Sequence, residues 1–181
     1  GSFRTYVNGL CDGTADPQDG KRFAAFFSEF SGRFHHEREE RAFLDALVKE
    51  ADLPGDRGPV RAFLREHAEM EAWMGEMAPL LDQRPASEDD RQRLQSMALR
   101  YSHALWRHMD AENSVLFVEG TERLQRNGVW ELPDRPMTDA EAAARVGAAG
   151  PPSRYPPLEE AAPTPGDGCF MCRAPGATCA G

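Results

Sequence analysis

The chain lacks a run of 18 apolar residues, so no transmembrane helix is expected, since one needs about 20. It also lacks an N-terminal basic stretch leading into an apolar core, so no export signal is read and the expected compartment is the cytoplasm. Excess positive charge is missing: 21 Lys and Arg face 30 Asp and Glu, for a net charge of −9. Neither nucleic acid nor an anionic membrane is therefore an expected partner, because both demand a basic surface. Cysteine is scarce, with Cys11 alone and Cys169, Cys172 and Cys179 near the C-terminus. That does not suggest a disulfide-stapled fold. No nucleophile–base pair or Ser/His/Asp arrangement argues for a hydrolase.

What is present is enough apolar residue, 40% of 181, to bury a core, and a strong helical periodicity. Residues 1–20 hold Gly13, Pro17 and Gly20 among Asp and Thr and read as an arm and loop. Lys21 to about Ala51 reads as a helix with Phe23, Phe27, Phe30, Phe34, Phe43 and Leu47 along one stripe. A turn with Pro54, Gly55, Gly58 and Pro59 follows. The next helix runs from about Pro59 to Leu81, with Val60, Phe63, His67, Met70 and Met74 in register. Ser87 then offers an N-cap, with Asp90 three residues on. The helix it opens runs to about Asn127, with Gly128 as its stop. From residue 129 onward, Pro, Ala and Gly dominate. One short helix is expected over Asp139 to Val146, and otherwise a flexible tail. The expected organisation is an arm over 1–20, a helical domain over 21–128 and a tail over 129–181.

Within these helices a histidine is followed four residues later by a glutamate at His35/Glu39, His67/Glu71 and His108/Glu112. Residues i and i+4 share a helix face, so each pair could grip one metal ion or two adjacent ones. Burying a carboxylate costs several kcal/mol, roughly, unless it is paired or binds a metal. Several buried together repel unless a cation neutralises them. The alternative is a rotation that leaves the glutamates at the surface, paired with Arg38, Arg65 or Arg107. His36/Glu40 offers the same spacing one residue on, and spacing alone does not separate the two registers. Neither Glu-x-x-His of ferritin-like diiron bundles nor His-Glu-x-x-His of zinc proteases occurs at these positions.

The segment Phe34-His35-His36-Glu37-Arg38-Glu39-Glu40 resembles the HxxKEE helix of the hemerythrin-like, or HHE cation-binding, family. Glu66-His67 resembles its EH word, and His108-Met109-Asp110-Ala111-Glu112-Asn113-Ser114-Val115-Leu116-Phe117 resembles its HxxxENxVLF motif. The resemblance covers about residues 15–125. It implies an all-α, up-down antiparallel helix bundle around a non-haem diiron site that binds O2, NO or peroxide, with sensing or storage expected rather than turnover. On this resemblance His35, His67 and His108 are terminal ligands and Glu39 and Glu112 bridging carboxylates, with His36 beside the centre or exposed. Glu71 stands where some members carry a second histidine, and is a candidate ligand or a solvent-facing residue.

The chain departs from the family at its start. The family's first helix carries a histidine, and no histidine precedes Lys21 here. The first bundle helix is therefore expected to be truncated or missing, with the fourth wall supplied by the tail or by a partner such as the second copy in a homodimer. If the site has degenerated with that helix, the chain is a helical interaction domain. Cys169-x-x-Cys172, with Cys179 and Cys11, has a spacing that zinc accepts. A redox-sensitive or exposed tail is the competing reading.

Overall fold

The computed structural model describes residues 1–157. Its architecture is all-α, built on four rods. The first is α1, Ser2–Asp12. The second starts as α2, Gln18–Ala25, passes through two π-helical segments, Phe26–His36 and Glu39–Leu44, and ends as α3, Asp45–Lys49. The third is α4, Gly58–Met77, closed by a 3-10 turn over Ala78–Leu80. The fourth is α5, Glu88–Ala111, continued by a π-helical segment, Glu112–Leu116, and by α6, Phe117–Arg126.

The rods alternate in direction. The start of α2 meets the end of the third rod, where Gly20 lies against the Leu81 carbonyl. Arg123 of α6 donates to the carbonyl of Ala51, just past α3. The second and fourth rods therefore run together and α4 runs against both. The first rod is antiparallel to α5: Gln95 donates to Asn8, while Phe3 sits edge-on to Tyr101 further along. This is the expected up-down antiparallel bundle.

The N-terminal segment corrects the arm-and-loop expectation. Residues 2–12 form a helix because Phe3, Tyr6, Val7 and Leu10 fall on one face, and all four are buried. Gly13, at φ 86°, closes it in the left-handed conformation. The first rod is thus present rather than missing. Its 11 residues span about 16 Å, against about 36 Å for the 24 residues of α5.

Packing divides the interior into two apolar cores. One lies under α1 and contains Phe3, Tyr6, Leu10, Phe23, Met74, Met77, Leu94 and Tyr101. The other contains Phe43, Leu44, Leu47, Val60, Phe63, Leu116 and Leu124. Each long rod contributes to both and crosses between them at a polar position: His36 and Glu39 on the second, His67 on the third, His108 and Glu112 on the fourth. Five polar side chains thus share the waist of the bundle.

Residues 129–157, expected as tail, pack back onto the bundle. The expected helix appears as α7, Asp139–Gly147, capped by Thr138 and Glu141 in a capping box. It lies along the first π-helical segment. A last turn, α8, Pro151–Arg154, brings Arg154 and Tyr155 onto the fully buried Asp19, which also pairs with Arg22. Cys169, Cys172 and Cys179 lie outside the described residues. Cys11 is buried in α1, its sulfur 3.9 Å from the Arg91 carbonyl.

Candidate metal centre

His67 and His108 anchor the centre. Both lie on the apolar stripes of their helices and are buried. The Nδ1 of His67 is 2.8 Å from Glu40 Oε1, and the Nδ1 of His108 is 3.0 Å from Glu66 Oε2. A carboxylate at Nδ1 fixes a proton there and makes Nε2 the position that a metal or a second proton takes. The two Nε2 atoms point at each other, 3.0 Å apart. Glu39 Oε2 is 3.5 Å from His67 Nε2, and Glu112 Oε1 is 2.7 Å from His108 Nε2. One ligand atom from each of Glu39, His67, His108 and Glu112 lies within 4.8 Å of all the others.

His36 completes the cluster. Its ring stacks on His67 with centroids 4.1 Å apart and planes 2° from parallel. With His67 and His108 it forms a second group of ligand atoms within the same 4.8 Å. Both nitrogens of His36 and both oxygens of Glu39 are buried without a hydrogen-bond partner among the described residues, and Glu112 Oε1 has only His108 Nε2 beside it. An unsatisfied buried polar group costs roughly 1–3 kcal/mol, more when charged. Such groups gathered at one waist fit a cation rather than a packing accident. Mixed imidazole and carboxylate donors suit a first-row divalent metal such as iron.

The register differs from the one favoured by the family motif. His36 is 2% exposed and faces inward, whereas the His35 side chain is 43% exposed, at the edge, with Nε2 3.8 Å from Glu112 Oε2. His36 and Glu39 are three residues apart, and i, i+3 neighbours share a helix face as i, i+4 neighbours do. An i, i+4 template pairs His35 with Glu39; the structure pairs His36 with Glu39, on a rod that passes through two π-helical segments. Glu71 is not brought into the cluster: its side chain is 58% exposed, with Oε1 4.0 Å from His36 Nδ1. The sequence offers Glu40 only as the i+4 neighbour of His36 and Glu66 only as part of the Glu66-His67 word; the structure sets them against His67 and His108.

The electrostatics follow from burial and partners. Burial and the neighbouring imidazoles of His67 and His108 push His36 down to about 2, so it is neutral. Burial also disfavours charge on His108, but Glu112 and Glu66 overturn that and raise it to about 9. For His67, burial is likewise outweighed by Glu39 and Glu40, and its value is raised. Burial raises Glu39. Glu112 is lowered despite its burial, because His108 and His35 stabilise the carboxylate. In the metal-free protein, protons therefore hold together groups that a cation would otherwise join.

A cavity of about 200 Å³ leads to this centre. Phe27, Met70, Met74 and Tyr101 line it, exposed Arg33 and Glu71 stand at its sides, and His36 borders it. The helix α1 supplies none of the clustered ligands.

The model of the Hemerythrin HHE cation binding domain matches residues 2–119. The chain belongs to that family. The match takes in α1 and every clustered ligand, and ends just inside α6. No curated protein and no solved structure matches the chain. As an HHE cation-binding domain, the protein has a His/Glu group at the waist of its bundle that could hold a metal. No described helix is long and apolar enough to cross a membrane.

Proposed function

We propose that the waist cluster binds a pair of non-haem iron ions and that the protein uses them to bind O2, NO or peroxide, as a sensor or store rather than a hydrolase. The observation carrying this reading is the approach of two imidazole Nε2 atoms to 3.0 Å, each ring with its Nδ1 on a carboxylate. With both Nδ1 atoms carrying protons, the two Nε2 lone pairs repel unless a proton or a cation lies between or beside them. His67, His108, Glu39 and Glu112 supply one two-nitrogen, two-oxygen set, and His36 adds the donor that extends the cluster toward a second ion. When bound, ferrous iron with an open position supplies the affinity for O2 or NO. The side chains hold the donors in place, neutralise the ions' charge with Glu39 and Glu112, and exclude water between the two apolar cores. The cavity bordered by His36 gives a small ligand a way in.

The test is anaerobic reconstitution with ferrous iron, followed by iron analysis and visible spectra before and after air. About two irons per chain and an oxo-bridge band after air support the reading. A chain that takes up no iron would be a helical interaction domain with a degenerate site.

A further inference from the structure

The family match ends at residue 119, yet later residues grip the helix turn that carries His36. Arg135 donates to both oxygens of Glu141, at 2.8 and 2.7 Å, and to the carbonyl of Arg33 at 2.8 Å. Its guanidinium lies over the ring of Phe34, 5.2 Å from the centroid, and 3.5 Å from Glu37 Oε2. Next to it, Asp134 accepts from Arg38 Nε at 2.6 Å. Glu141 is 3% exposed and is itself fixed by Thr138 in the capping box of α7. Within residues 33–38, the outer face is thus held at Arg33, Phe34, Glu37 and Arg38. The inner face presents His36.

That turn takes in the end of the first π-helical segment, which closes at His36, a geometry rare enough to need support from its surroundings. Relaxing it to α geometry would rotate the turn relative to the rest of the rod, by up to about 100° for one residue, and move the His36 imidazole away from the cluster.

We infer that Arg135, held by Glu141, is a positioning residue for the metal centre: it locks the π-helical register that turns His36 inward. This rests on the metal reading above. Arg135 suits the role because a planar guanidinium reaches a carboxylate and a carbonyl together, which a lysine ammonium does not.

The test uses the full chain as wild type, R135A, R135K and E141Q, with Co(II) as probe under anaerobic conditions. Three quantities are read: Co(II) affinity, the Co(II) ligand-field spectrum, and hydrogen exchange at residues 33–38 without metal. R135A and E141Q are each expected to weaken Co(II) binding about tenfold or more, to change the spectrum and to speed exchange at 33–38. R135K is expected to recover only part. If R135A does not fold, E141Q carries the test. A folded variant with faster melting but an unchanged Co(II) affinity and spectrum would show a merely structural role and overturn the inference. So would weakened binding with unchanged exchange at 33–38. Wild type that takes up no Co(II) would instead overturn the metal reading, and this inference with it.

Discussion

His67 and His108 meet nitrogen to nitrogen, Nε2 to Nε2 at 3.0 Å, across the seam between α4 and α5. Neutral imidazoles whose other nitrogens are held by Glu40 and Glu66 cannot share a hydrogen bond across that gap. Either a proton or a cation resolves the contact. The pH dependence of the protein follows from the competition between the two.

At pH 7, His108, raised to about 9, carries a proton. Metal binding must expel it. Affinity is expected to climb about tenfold per pH unit while one proton is displaced, and to level off above about pH 9. Metal titration in weak buffer should register the released acid. Uptake without acid release, at an affinity flat between pH 6 and 9, would contradict this. The metal-free protein should show the opposite trend at high pH. A folded value raised above the ordinary 6.5 stabilises fully below 6.5, and the contribution is lost as pH rises through about 9. His36 adds a limit at the acid side: lowered to about 2, it costs stability as pH falls below its ordinary 6.5.

Replacing the two adjacent histidines should separate the registers. His36→Ala is expected to weaken metal binding beyond the roughly 10–100-fold that loss of an outer partner costs. His35→Ala should cost less, because that ring sits at the edge, 3.8 Å from Glu112. Isothermal titration of both variants decides the matter. A larger loss from His35→Ala would restore the i, i+4 register.

Glu40 and Glu66 orient ligands without belonging to the four-residue set. Glu40→Gln and Glu66→Gln each keep the side chain's shape and remove its charge. Each is expected to reduce metal affinity by about 10–100-fold and leave the helix content unchanged. Circular dichroism alongside the titration would expose a folding defect posing as a ligand effect.

Gly20 is the tightest backbone contact in the bundle's closed end. A Cβ there would lie 1.8 Å from the Leu81 carbonyl oxygen and 2.6 Å from the Tyr6 hydroxyl. That hydroxyl donates to the same carbonyl at 2.5 Å. Gly20→Ala must therefore push α2 off the turn after α4, at a cost of about 3 kcal/mol or more. Thermal melting is the check, and an unchanged melting temperature would show that the rods can part there freely.

The sequence by itself determined the helices and the family words, and singled out four of the five polar side chains at the waist. Apolar spacing and caps are local, so the rods over 18–49, 58–77 and 88–126 were legible, as were Ser87 as N-cap and the short helix near residue 139. His67, His108 and Glu112 were legible because their helix stripes place them inward in α geometry, and Glu39 because the same motif flanks it. Tertiary structure alone decided the rest. Packing turned His36 inward and His35 to the edge, and left Glu71 exposed on α4. Glu40 and Glu66 became partners of histidines 27 and 42 residues away. Arg135 reached the carbonyl of a residue 102 positions earlier. Local periodicity sets which face of a helix is apolar. Only packing against other rods sets the rotation of that face to within one residue, and one residue separates the buried His36 from the half-exposed His35.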